Sequence, residues 1–270
     1  MKRIAIFLSI VLFFGSAHAQ KLPNVQLVSL RAPANVKIDG KLTEWGELKA
    51  YNKTCEIFYS IANDNENLYL TVQATDEQII GKIVGGGIAF TINNSGNKKG
   101  KTDAVVTFPL YVEGKSNPYL MLGSIKEIKR DAANSSFLLD SLKNSANNKI
   151  KSSFKFIGTS GLKDINAEAI SVYNTEGISV AAMLDDKLYY NFELAVPLKL
   201  IVGNLTPKSF TYNIRLNGPA FGGSDLKLVR DRFLTFTGRD GKNYMMDDAS
   251  PRSWSLASPS DFWGEYTLAK

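Results

Sequence analysis

Two strand-like runs carry polar side chains at every second position. Asn213, Arg215 and Asn217 alternate with Tyr212, Ile214 and Leu216, while Asn191 and Glu193 alternate with Tyr190, Phe192 and Leu194. A period of two puts each polar set on one face of a strand and the apolar set on the other. If the two strands are neighbours, their outer faces join into a patch of amides and a carboxylate around one fixed cation. Guanidinium and amide groups offer oriented donors and acceptors of the kind sugar hydroxyls meet. The other reading of the same pattern is a solvated sheet face. Trp254, in the Ser/Pro-rich stretch SPRSWSLASPSD, reads as a loop tryptophan, either tucked onto the fold or offered to a sugar ring. Asp64, Asn65 and Glu66 supply oxygens at a hairpin tip and are candidates for calcium, although acidic and amide residues at a tip also serve as plain turn chemistry.

Other chemistries are excluded by composition. The one histidine, His18, lies in a leader-like segment, so the remaining chain builds no Ser-His-Asp or Cys-His unit and no histidine-ligated zinc. The single cysteine, Cys55, allows no internal disulfide. Asp64 with Glu66, Asp185 with Asp186 and Asp247 with Asp248 sit in turns, where nothing sets a carboxylate pair across a cleft as glycoside hydrolysis requires. No catalytic residue is expected.

Residues 1–19 read as a secretory signal peptide. Lys2 and Arg3 precede the apolar run Ile4 to Phe14, and Ala17-His18-Ala19 is the small-x-small cleavage site. The apolar run is too short to span a bilayer, so export to the periplasm or beyond is expected, with no transmembrane segment after cleavage. The formal charge of +6, less Lys2 and Arg3, leaves +4. The basic balance is compatible with an anionic surface or glycan as neighbour, although the basic residues are scattered and form no patch, and no nucleic-acid partner is expected.

The elements that must position these groups are short strands. Lys187 to Ile201 is a long strand that stops at Pro197 and turns into a single helical turn. Ile57 to Ile61 and Leu68 to Ala74 form a hairpin around a polar tip. Asp76 to Val84 reads as a short helical or irregular excursion. Gly85-Gly86-Gly87 then opens a strand with Ile88, Phe90 and Ile92 inward. Thr102 to Val112 forms a further strand, which Pro109 assigns to an edge or a bulge. Residues 115–150 read as an insertion with one or two short helices. Ala167 to Tyr173 and Ile178 to Leu184 read as a hairpin closed by 174–177. Phe262 to Ala269 is the last strand, with Trp263 opposite Phe262 and Gly264 able to admit a bulge. Trp45 reads as a large residue closing one end of the core. The whole is predicted to be an all-β antiparallel β-sandwich, one domain over 20–270 with the helical insertion.

VKIDGKLTEW (36–45), YSIANDNENLYLTVQATD (59–76), GIAFTIN (87–93) and YNFELAVPLKLI (190–201) occur in that order. This arrangement resembles the family 9 carbohydrate-binding modules and their DOMON-like relatives, and the closing SDFWGEYTLA resembles the ending of exported Bacteroidota-type members. The resemblance covers nearly the whole chain after the leader except the insertion. It implies a β-sandwich that binds sugars in some branches and haem in others. Sugar binding uses aromatic planes with polar neighbours. Haem binding uses Met with His or Lys, for which Met121, Met183, Met245 and Met246 remain, though methionines in a β-core are usually packing. The expectation is a non-catalytic binder of an extracellular or envelope glycan, needing no cofactor unless calcium. An envelope scaffold that binds another protein and a haem-binding electron-transfer domain are the alternatives.

Overall fold

The computed structural model describes residues 21–93, 103–112, 135–201, 209–218, 227–229, 233–237, 243–246 and 251–270. Residues 1–19, expected to be a signal peptide, Met121 and the Asp247-Asp248 pair lie outside them.

The protein is an antiparallel β-sandwich. Its five-stranded sheet contains β1 (Ala50–Asn52), β2 (Ile57–Asn63), β3 (Asn67–Ala74), β8 (Ser179–Leu184) and β9 (Tyr190–Pro197), in the order β1-β2-β3-β9-β8. The six-stranded sheet contains β4 (Ile88–Asn93), β5 (Ala104–Phe108), β6 (Phe156–Ser160), β7 (Ala169–Ser171), β10 (Ser209–Leu216) and β14 (Ser260–Thr267), in the order β14-β10-β4-β5-β6-β7. A three-stranded sheet, β11 (Lys227–Val229), β12 (Phe233–Thr237) and β13 (Asn243–Met246), lies between β10 and β14 in sequence, and the side chains of Met245 and Met246 there fall outside the description. Among the described residues, three α-helices accompany the strands: α1 (Glu77–Gly86), α2 (Ser135–Ser153) and α3 (Pro251–Ala257).

The inward sets form one apolar cluster. Tyr190, Phe192, Leu194 and Val196 of β9 meet Ile88, Phe90 and Ile92 of β4, Ala104, Val106 and Phe108 of β5, and Tyr212, Ile214 and Leu216 of β10. A polar link also crosses between the sheets, where the Tyr59 and Tyr212 hydroxyls share a hydrogen bond of 2.9 Å. The Tyr190 hydroxyl is buried with no hydrogen-bond partner among the described residues. Such a group costs about 1–3 kcal/mol, so Tyr190→Phe is expected to leave stability unchanged or raise it by about 1 kcal/mol, read as a higher denaturant midpoint.

Several local expectations change. Asp76 caps α1 with Oδ1, which accepts from the amides of Gln78 and Ile79, so 77–86 is a regular helix. Its last residue, Gly86, lies against the backbone of Gly218, and an added Cβ would stand 1.5 Å from the Gly218 carbonyl oxygen. Gly86→Ala is therefore expected to destabilise the protein by about 3 kcal/mol, measured by chemical denaturation. Pro109 is not on an edge strand. β5 ends one residue before it and pairs on both sides, with β4 and β6. The 174–177 turn is no hairpin, because β7 pairs with β6 in one sheet and β8 with β9 in the other. Asn174 holds this crossover, accepting from the amides of Gly177 and Ile178 and donating to the carbonyls of Ser171 and Ile178. β14 pairs with β10 without a bulge from Ser260 to Thr267, and Gly264 leaves room for the Tyr212 ring. In the insertion, α2 is one helix of 19 residues running past the polar stretch to Ser153. Leu139, Leu142, Ala146 and Ile150 supply its apolar stripe at helical spacing and pack on the core.

Candidate functional site

The outer face of the five-stranded sheet organises the site. Its side chains fall in rows across the strands. Tyr51, Phe58, Gln73, Asn191 and Met183 make one row, and Ser60, Thr71, Glu193 and Ala181 the next. Ala62, Tyr69, Ala195 and Ser179 make a third.

The segment 21–49 covers most of the second and third rows, leaving Ser179 at the β8 edge exposed. Glu193, expected on a solvated outer face, is 0 % exposed. Its Oε2 accepts from the amides of Asp39 (3.0 Å) and Gly40 (2.6 Å), and its Oε1 accepts from the Trp45 indole N–H (2.6 Å). Trp45 packs its ring on Tyr69, with centroids 5.6 Å apart. The Asp39-Gly40 turn, Trp45 and Glu193 are thus one clamp that lays the N-terminal segment onto the sheet. Trp45 packs here on the sheet's outer face and does not close an end of the core. Burial pushes the Glu193 carboxyl up to about 7, against the pull of Trp45, Gly40 and Asp39. The segment also seals the β2 edge. The Gln26 side chain accepts from the Ile61 amide and donates to the Ile61 carbonyl, and Asn63 exchanges backbone hydrogen bonds with Leu30 and Ala32. β9 is consequently buried along its whole length instead of on one face.

The first row is only partly covered: Phe58, Gln73 and Met183 are half-buried, and Asn191 is buried at its base. Phe58, Gln73, Asn191 and Met183 floor a groove of about 1470 Å³. One wall is the N-terminal segment, with Leu22, Leu27, Leu42 and Leu48. The other is α2, through Lys143 and Asn147, together with the Asp185-Asp186 turn. Gln73 Nε2 donates to Asn191 Oδ1 (2.9 Å), and Asn191 Nδ2 donates to Asp185 Oδ2 (3.4 Å). Asp185 Oδ1 accepts from the amides of Lys187 and Tyr189, fixing the turn into β9. The Phe58 ring is half-buried and backed by Tyr51, with centroids 4.7 Å apart. The arrangement offers an apolar plane beside a row of oriented amides and a carboxylate, in a concave setting.

The other expected site residues do not join it. Asn213, Arg215 and Asn217 stand on β10, in the opposite sheet from β9, so the patch expected from adjacent strands does not form. Asn213 is buried and donates to Asp261 Oδ2 (2.6 Å) and the Phe262 carbonyl (3.0 Å). Asn217 donates to the Gly86 carbonyl (3.1 Å). Arg215 is exposed on the outer face of the six-stranded sheet, near Asn213 and Trp263. Trp254 falls in the helix α3 and not in a loop, and its side chain lies outside the described residues.

At the hairpin tip, Asp64 Oδ1 accepts from the amides of Glu66 and Asn67 (both 2.7 Å), and Oδ2 accepts from the Tyr69 hydroxyl (2.6 Å). Burial pushes the Asp64 carboxyl up, but Tyr69 and the two amides outweigh it and hold it below its usual value. Asp64 is thus engaged in shaping the turn, and Asn65 and Glu66 are exposed. Among the described residues, no three His, Cys, Asp or Glu side chains gather to hold a metal ion.

Sequence reasoning missed Phe58, Lys41 and Lys49 as groove residues, and it missed Lys82. The Lys82 ammonium is buried in α1, donating to the Ser255 carbonyl (2.7 Å) and Ser260 Oγ (2.9 Å), so it ties α1 to α3 and β14. Burial lowers its pKa. Arg252 of α3 adds an ion pair to Glu56 and one to Asp76 (3.3 Å). No helix among the described residues is long and apolar enough to cross a membrane. No protein-family model matches the chain, and no curated protein matches it.

Proposed function

We propose that the protein is a non-catalytic glycan-binding module that works outside the cytoplasm, on an extracellular or envelope glycan. The observation that carries this reading is the floor row Phe58, Gln73, Asn191 and Met183 along a groove on the sheet's outer face, with Phe58, Gln73 and Met183 half-buried and Asn191 at the base. A sugar ring set against Phe58 would place its hydroxyls over the Gln73 and Asn191 amides, with the Asp185 carboxylate at the far side.

The clamp also supports kinship with the family 9 carbohydrate-binding modules and their DOMON-like relatives. Two separated pieces of the resemblance, the IDG turn with its tryptophan and the FELAVP strand, meet in one hydrogen-bonded unit at Glu193.

Glycan-array binding and pull-down on insoluble polysaccharides, with wild type and Gln73→Ala, test the proposal. Gln73 is half-buried and its loss leaves the apolar core intact, so the variant is expected to fold and to lose retention. Failure of the wild type to bind any glycan would sink the reading.

A further inference from the structure

We infer that the groove selects an anionic glycan, one carrying carboxylate, sulfate or phosphate groups along the chain. The inference rests on the glycan reading above and adds the charge of the ligand. Three lysines, Lys21, Lys41 and Lys49, line the N-terminal wall. All three are exposed, and none has a side-chain ion pair among the described residues.

Asp185 and Asp186 face them from the other wall. Asp186 is taken by Lys143 at 2.7 Å, and Lys143 also pairs with Asp140 at 3.0 Å. Asp185 accepts from two backbone amides and from Asn191. Glu47 is the remaining acid of the lining. The lining thus holds Lys21, Lys41, Lys49 and Lys143 against Glu47, Asp185 and Asp186, a formal excess of one positive charge, with three of the lysines gathered on the N-terminal wall beside a neutral amide floor.

The lysines stand on fixed backbone. The Lys41 amide donates to Asp39 Oδ1 (2.9 Å), directly after the Gly40 amide that Glu193 holds. The Lys49 amide donates to Ser60 Oγ (2.9 Å). Preset anchor points at the mouth of a concave site steer and retain charges that repeat along a polymer.

The test is a panel of polysaccharides in matched anionic and neutral forms, such as polygalacturonate and its fully methyl-esterified form, offered to the full chain in affinity electrophoresis at low and high salt. The expected result is about tenfold tighter binding of the anionic member, reduced by salt, since several solvent-facing ion pairs each add a little. Lys41→Ala with Lys49→Ala should remove most of that preference, whereas Lys199→Ala, outside the groove lining, should not. Equal, salt-independent binding of both forms overturns the charge inference and leaves the glycan reading standing. Retention on no member of the panel removes the glycan reading, and this inference with it.

Discussion

Glu193→Ala is expected to lower the unfolding free energy by about 3–5 kcal/mol, among the largest effects of any single side-chain truncation on the outer face of this sheet. The alanine leaves the Asp39 and Gly40 amides and the Trp45 indole N–H without their acceptor, beneath a segment that excludes water. Glu193→Gln keeps an acceptor for two of these donors and turns an NH₂ group toward the third, so it should cost less, about 2 kcal/mol. A double-mutant cycle with Trp45→Phe should show coupling, because both changes break the same hydrogen bond.

The pH dependence has a definite sign. A folded-state pKa near 7, raised by burial from 4.5, means that the folded chain binds a proton the unfolded chain has released. The contribution is fully present below about pH 4.5 and is lost as pH rises through 7. The stability gap between wild type and Glu193→Gln should therefore be wider at pH 5 than at pH 8. Guanidinium unfolding at the two pH values reads it, and a gap that widens toward alkaline pH would contradict the burial argument.

Phe58→Ala is expected to weaken glycan binding by about tenfold or more. The ring is the apolar plane of the groove floor, half-buried and supported from one side by Tyr51, so its free face is what a sugar would cover. The stability cost should be modest, because Phe58 points away from the core that Ile57, Tyr59 and Ile61 fill. Phe58→Tyr should retain binding, since it keeps the plane. Isothermal titration with a glycan found by array screening separates the two variants. Equal affinity for wild type and Phe58→Ala would remove Phe58 from the site.

The inward sets of β4, β9 and β10 were legible in the sequence because period two is a local property of a strand. Which strands lie side by side is not local. Asn191 and Glu193 stand on the face of β9 away from the core, as their spacing predicts, yet the neighbouring strand is β3, bringing Gln73 to Asn191, and not β10 with Arg215. The burial of Glu193 was hidden for the same reason, since the turn that covers it lies more than 150 residues away in the chain. The crossover at 174–177 carries the turn residues a hairpin would, and only pairing distinguishes the two. In α2, the wide spacing of apolar residues among Ser, Asn and Lys disguised one long helix as short pieces. Asp39, Gly40 and Trp45 of VKIDGKLTEW and Glu193 of YNFELAVPLKLI lie far apart in the chain, and the structure joins them in one hydrogen-bonded unit.

The central claim is that the ligand face is the groove-floor row of the five-stranded sheet and not the outer face of the six-stranded one. The most direct test measures glycan retention by three chains side by side: wild type, Phe58→Ala with Gln73→Ala, and Arg215→Ala. The account predicts that wild type and Arg215→Ala are retained equally and that the floor variant, folded by its thermal melt, passes through. Loss of retention in Arg215→Ala, with the floor variant still bound, would contradict it.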